Sequence, residues 1–328
     1  MTYYPTPIII DTDLGNDIDD ALAIAIAHYL DNAGECELIG VAVNKDNKYS
    51  PAMVDVLNTF YGKGNIPIGS VSKGKTPEDG PFLKNIVEST NESGYKYGRS
   101  CSDYNLDSVD MYRKLLSESD NASVNIVSIG FMTNLARLLA SKPDSYSPLT
   151  GVELVAEKVN LLSIMAGNFT KEALESKDIK FAEFNVKHDI ESSIFVCENW
   201  PGDILFSGLE VGSAIMYTAE AIYNDYGWAV DHPVVEAYKM YLEMPYDRQT
   251  WDLTSVLCAV RDPLEYFDLS ERGKVTVDNR GVTSFTPQKD GRDRYLIVRP
   301  ERVGHIQQIM RQMCAYEPKA LSAAVVTN

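Results

Sequence analysis

The sequence has little of what stabilises a small secreted domain or anchors a chain in a membrane. Its five cysteines (Cys36, Cys101, Cys197, Cys258 and Cys314) are scattered, odd in number and never in a CxxC pair, so neither a disulfide framework nor a zinc site is indicated. Reduced thiols fit a cytoplasmic protein. The first thirteen residues hold no Lys or Arg to begin a signal peptide, and a periplasmic location would require a leader already removed. No apolar run approaches the ~18 residues that a membrane helix needs. Basic residues are outnumbered, 30 Lys and Arg against 47 Asp and Glu, and the net charge of −17 opposes polymeric nucleic acid and anionic membranes as partners.

What is present is a globular mix, 45% hydrophobic and 23% charged, in a 328-residue chain that reads as one large domain. Val- and Ile-rich runs at 7–12, 37–43, 66–70, 124–130, 159–165 and 203–206 alternate with helical-period stretches at 18–30, 51–61, 108–117, 133–141 and 190–198. Runs apolar on both faces and separated by helices predict an α/β fold with a doubly wound, mainly parallel, Rossmann-like sheet. The C-terminal third predicts helices at 233–244, 254–260 and 301–316, with a small antiparallel extension at 274–277, 282–285 and 294–298. The stretch from Val71 to Gly98 reads as a long loop with a short helix of its own.

Directly after the first predicted strand, "DTDLGNDIDD" places five aspartates in ten positions. In an open parallel sheet that is where ligands sit. Asp17, Asp19 or Asp20 could cap the following helix, but one or two acids suffice for a cap. Five repel one another, and a bound cation removes that cost. With no Cys or His nearby, oxygen ligands select a hard ion, Ca²⁺ or Mg²⁺. An EF-hand loop is excluded by Asn16 where its turn glycine belongs and Leu22 where its bidentate Glu belongs. A haloacid-dehalogenase-type phosphatase is disfavoured by Gly15, where those enzymes carry Thr or Val.

DTDLGNDIDDA resembles the signature of the inosine-uridine-preferring nucleoside hydrolases, usually DxDxGxDDA, with two extra residues between Asp13 and the Asp19-Asp20 pair. Further segments match in order: "GVAVNKDN", "SIGFMTNLARLL", "IMAGNF" with "AEFNVKHD", and "QTWDLTSVL". The resemblance implies that Asp13, Asp20, the carbonyl of Ile129 and Asp252 bind one Ca²⁺ and that Asp13 is the general base. It further implies that Asp11 orients the site from behind and that Asp19, Asn47, Asn168, Glu183 and Asn185 bind the ribose. The implied substrate is a small ribonucleoside or ribosyl compound, and the implied assembly a homodimer or homotetramer. Tyr238 and Tyr241 read as exposed aromatics compatible with such an interface.

The pattern breaks on the leaving-group side. Where the best known branch has a histidine before the last metal-binding aspartate, this chain has Trp251, whose indole N–H cannot act as an acid. Trp251 is therefore expected to assist by stacking on the base, with Tyr223, Tyr226 and Trp228 either as further walls or as lid packing. His232 is the nearest candidate acid, and His188 a candidate at the rim. Arg248 and Tyr246 either line the leaving-group side or, for Arg248, form a surface ion pair. A glycosidase of a non-nucleoside ribosyl substrate, or a ribose-binding protein with little turnover, are the competing readings.

Overall fold

The structure is a computed structural model that describes residues 5–98 and 104–318. The strand Thr6–Thr12 lies mid-sheet, parallel to Cys36–Lys45 on one side and Val124–Ile129 on the other. Three consecutive isoleucines suit that place, since Ile8 and Ile10 enter one core and Ile9 the core on the opposite face. Ile68–Lys75 flanks Cys36–Lys45, while Val159–Met165 and Ile204–Ser207 continue the parallel run beyond Val124–Ile129. The strand order therefore reverses around Thr6–Thr12, and the crevice at its carboxyl end is the topological switch point of a doubly wound sheet.

The predicted C-terminal strands are present as Gly273–Val277, Thr283–Pro287 and Asp293–Ile297, and they extend this same sheet. Asp293–Ile297 pairs in parallel with Ile204–Ser207, and the other two add antiparallel at the edge. The helix Asp19–Asn32 is buried along most of its length by Ala, Ile and Leu. It packs against the helices Trp251–Val260 and Val303–Cys314. Among the described residues, no helix is long and apolar enough to cross a membrane.

Several elements depart from the sequence expectation, among them the helices Leu209–Ser213 and Ala219–Asn224, which were not expected. The helix expected at 254–260 begins at Trp251, which puts Trp251 and Asp252 in its first turn. The third strand runs to Lys75, five residues into the stretch expected to be loop, and the rest of that stretch contains the short helix Leu83–Val87. The helix Gly151–Lys158 was not expected, although Thr150 and Glu153 form a reciprocal capping box at its start.

Candidate active site

After Thr12 the chain turns through Gly15, whose φ of +114° is costly for any side chain and whose added Cβ would lie 2.3 Å from Leu83. The turn delivers Asp19 and Asp20 to the first turn of the buried helix. Neither caps it: Ile18 holds the N-cap position without a side-chain bond. Instead the acids face a second helix start, where the Asp252 backbone N–H donates to Asp19 Oδ2 at 3.1 Å. Carboxylate oxygens of Asp19, Asp20 and Asp252 lie within 4.8 Å of one another, and the Thr12 hydroxyl donates to Asp20. The strand Val124–Ile129 closes in from the side. A Cβ on Gly130 would stand 2.6 Å from the Asp13 nitrogen, so the approach of Ile129 to the aspartates depends on glycine there.

These groups border a cleft of about 320 Å³, lined by Asp13, Asp19, Asp20, Ile129 and Asp252 at the acidic end. Glu183, Asn185, Met165 and Phe184 form one wall, and Leu209, Tyr241, Arg248 and Trp251 another. Asp11 stands behind the cleft, fully buried, accepting from Asn44 Nδ2 at 2.7 Å, Tyr112 Oη at 2.8 Å and Asn134 Nδ2 at 3.1 Å. Glu183 caps the short helix Phe184–His188 and accepts from the backbone N–H groups of Asn185, Val186 and Gly167. Asn185 donates to the Met165 carbonyl at 3.2 Å.

Burial dominates the electrostatics. It pushes Asp13 up to about 6 and Asp11 up to about 7, against the hydrogen bonds that favour their anions. Asp19, Asp20 and Asp252 are held well above the ordinary carboxylate value, by burial first and by neighbouring carboxylates next. Glu183 is pushed up to about 7 by burial despite its three backbone donors. So much uncompensated buried acid is a poor resting state for a protein, and the all-oxygen donor set, without Cys or His in the lining, fits a hard divalent cation. Asp19 stands as near that position as Asp20 and Asp252 do, although the sequence expectation reserves it for the sugar.

Several residues named from the sequence lie elsewhere. Asn47 is outside the cleft lining, its amide donating to Pro77 O and Asp79 Oδ1, each at 2.9 Å. The neighbouring Asn44 is the one that reaches the aspartates, through Asp11. Asn168 is turned to its own loop, its Oδ1 accepting from the Thr170 nitrogen and hydroxyl. His232 caps the helix Pro233–Tyr241 inside a cage of Phe60, Tyr61, Tyr226 and Trp228, and burial lowers it to about 3. That is core packing, not a poised acid. Tyr226 and Trp228 belong to the same packing, Tyr223 is exposed, and Tyr246 stacks on Tyr238. Tyr238 is fully buried and Tyr241 lines the cleft, so neither is an exposed interface aromatic. His188 is exposed and packs against Phe184, the two rings tilted by 39°. Cys101 lies outside the described residues.

Arg248 is no surface pair. It lines the cleft and grips Asp17 through Nε at 2.8 Å and through Nη2. A residue not anticipated from the sequence is Lys45, a buried lysine whose Nζ donates to Asn16 Oδ1 at 2.7 Å and Thr76 O at 2.6 Å. Asn16 in turn donates to Asp13 Oδ2 at 2.7 Å. Within the extended acidic signature, Asn16 is thus tied to Lys45 and Asp17 to Arg248. Lys45 ends the strand Cys36–Lys45, next to Asn44, and a strand-end lysine carries no local signal of that contact.

A doubly wound sheet whose switch point carries a buried oxygen-rich cation pocket defines a class of α/β proteins that bind a small ligand beside a metal. The chain belongs to the inosine-uridine preferring nucleoside hydrolase family, whose model matches residues 8–307. It is 27% identical over 212 residues to the pyrimidine-specific ribonucleoside hydrolase RihA of Escherichia coli O1:K1. That match spans 62% of this chain and 60% of the relative, less than two thirds of its length. RihA of Salmonella arizonae is 26% identical over 258 residues, covering 76% of this chain and 75% of the relative. Among solved structures, an inosine-guanosine nucleoside hydrolase superposes with a TM-score of 0.70 at 20% identity, covering 95% of this chain and 99% of that one. A plant nucleoside hydrolase gives 0.69 at 20% identity, covering 95% and 100%. At such identities the structures speak for the fold.

Proposed function

We propose that this chain hydrolyses the N-glycosidic bond of a ribonucleoside or close ribosyl compound to free base and ribose, with Ca²⁺ as the cation. The observation that carries this reading is the convergence of Asp13, Asp19, Asp20 and Asp252 with Glu183 and Asn185 around one cleft at the switch point. Asp20, Asp252, Asp13 and the Ile129 carbonyl would hold the ion. When bound there, it supplies the lowered pKa and fixed direction of an attacking water.

Asp13 takes the proton. Its Oδ2 is pinned by Asn16, so the carboxylate presents a fixed edge to the reacting centre. Asp19 offers an oxygen to the sugar 2′-hydroxyl. Asn185, whose amide nitrogen is occupied by Met165, keeps its Oδ1 to accept from another ribose hydroxyl. Bond cleavage develops positive charge on the sugar ring, and the Glu183 carboxylate on the cleft wall stabilises it.

Glu183→Gln tests that last role. The amide removes the charge and sets an NH₂ against backbone donors, so stability should fall by about 1–3 kcal/mol. Beyond that, kcat should fall by about tenfold or more with KM little changed, because the lost interaction grows only in the transition state. Steady-state kinetics with a thermal melt separates the two effects, and an unchanged kcat would remove Glu183 from the chemistry.

The reading as a whole is tested by incubating the chain with a panel of ribonucleosides and Ca²⁺ and measuring reducing sugar against free base. Equal molar release of ribose and base from at least one nucleoside is the expected result. Ribose binding by calorimetry without release from any would favour a binding protein, and release only from non-nucleoside ribosides a different glycosidase. The same proposal places the chain in the cytoplasm, where its four described cysteines, all buried and unpaired, stay reduced.

A further inference from the structure

Hydrogen-bond donors lining the cleft are few, and among the described residues most are spent. Asn16 Nδ2 is occupied by Asp13 and Thr76, and Asn185 Nδ2 by Met165. Trp251 Nε1 donates to Leu209 O at 2.9 Å and Ser213 Oγ at 3.0 Å, so the indole offers a ring and no proton. The Tyr241 hydroxyl is bonded to Asp17. Arg248 is the exception. Asp17 takes its Nε and Nη2, which leaves Nη1 without a partner among the described residues. Its guanidinium carbon lies 4.9 Å from the Trp251 ring centroid and 5.1 Å from that of Tyr241. A carboxylate and two rings thus fix the plane of a permanent cation in the cleft lining, between the Trp251 and Tyr241 rings and the edge of the acidic cluster.

We propose that Arg248, clamped by Asp17, is the donor that stabilises the leaving base, and that the substrate's base carries an acceptor oxygen or nitrogen beside the glycosidic nitrogen, as oxo-pyrimidines and oxo-purines do. This rests on the hydrolase reading. A guanidinium keeps its protons at any working pH, so it acts by charge and hydrogen bonding. The C1′–N bond breaks with its electron pair passing to the base, which departs as an anion against Arg248. A C1′–O bond forms to water, whose proton goes to Asp13, and the base takes a proton from solvent after release. Bases whose anions are well stabilised by ring oxygens are favoured. Asp17 supplies the geometry, by holding Nε and Nη2 of Arg248.

The test compares kcat/KM of the wild type, R248M, R248K and D17N on uridine, on inosine and on 4-nitrophenyl β-D-riboside, whose nitrophenolate departs unaided. Losing a donor aimed at developing charge costs about 10²–10³-fold, so R248M should lose about that much on a nucleoside. Its loss on the nitrophenyl riboside should be at least about tenfold smaller. D17N should show the same bias to a lesser degree, and R248K, which keeps the charge, should recover part of the nucleoside activity. If R248M melts early, R248K and D17N carry the comparison. Equal losses on both substrate types, or no loss, with a wild type active on both, overturn the inference alone. A wild type inert toward all three compounds overturns the hydrolase reading itself.

Discussion

Asp13→Ala is expected to abolish turnover, by at least ~10³-fold, in a protein that still folds. General-base catalysis alone contributes about 10²–10⁴-fold, and Asp13 also borders the proposed ion position. The fold should not suffer. Asp13 is buried, raised to about 6 chiefly by that burial, and set against Asp17, with Asn16, Lys45 and a backbone hydrogen bond in its favour. Removing it relieves repulsion in the metal-free protein, while the cavity left by a carboxylate beside a cleft can fill with water. Thermal stability without metal should therefore be equal or higher. Calcium affinity, measured by calorimetry, should weaken without vanishing, since Asp19, Asp20 and Asp252 remain within 4.8 Å of one another. Retention of more than about a tenth of the activity, a smaller loss than the ~10²–10⁴-fold of a lost base, would exclude Asp13 from that role.

The fold was legible in the sequence because its strands are buried on both faces. Ile8, Ile9 and Ile10 announce a central parallel strand without any appeal to partners, and the aspartates after them fall at the one crevice such a sheet offers. The capping box of Thr150 and Glu153 is equally local, a helix start written in four residues, yet the helix it opens was not expected. What local pattern does not carry is pairing at long range. Asp17 reads as one more acid in a run until Arg248, 231 positions away, is seen to hold it. Lys45 reads as a strand-end lysine until Asn16 joins it to Asp13. His232 comes after a run of aromatics that suggests a lid. The same aromatics turn out to be why it is buried and neutral, since a cage of rings desolvates an imidazolium without compensating it. Asn47 and Asn168 illustrate a further limit: a loop asparagine serves a sugar and a turn equally well on sequence grounds, and here both side chains bond to loop segments.

Stripping divalent metal should abolish turnover and reverse the dependence of stability on pH. In the metal-free protein, Asp11 near 7 and Asp13 near 6 bind protons more tightly folded than unfolded, where an aspartate sits near 3.8. Asp19, Asp20 and Asp252 are shifted the same way. A raised folded pKa contributes stability that is present at low pH and lost as pH rises through the folded value. The melting temperature of the stripped protein should thus fall between about pH 5.5 and pH 8. With Ca²⁺ saturating, the ion competes with protons for the same carboxylates and holds them ionised. Their folded values then drop below the unfolded one, and the stabilisation is present above it and lost only on acidification. The two melting curves should diverge towards pH 8, where an ion at a hundred times its Kd adds about 2.7 kcal/mol, and converge towards pH 5.5. Parallel curves across that range would mean that no ion occupies the aspartates, and activity surviving exhaustive chelation would say the same of the chemistry.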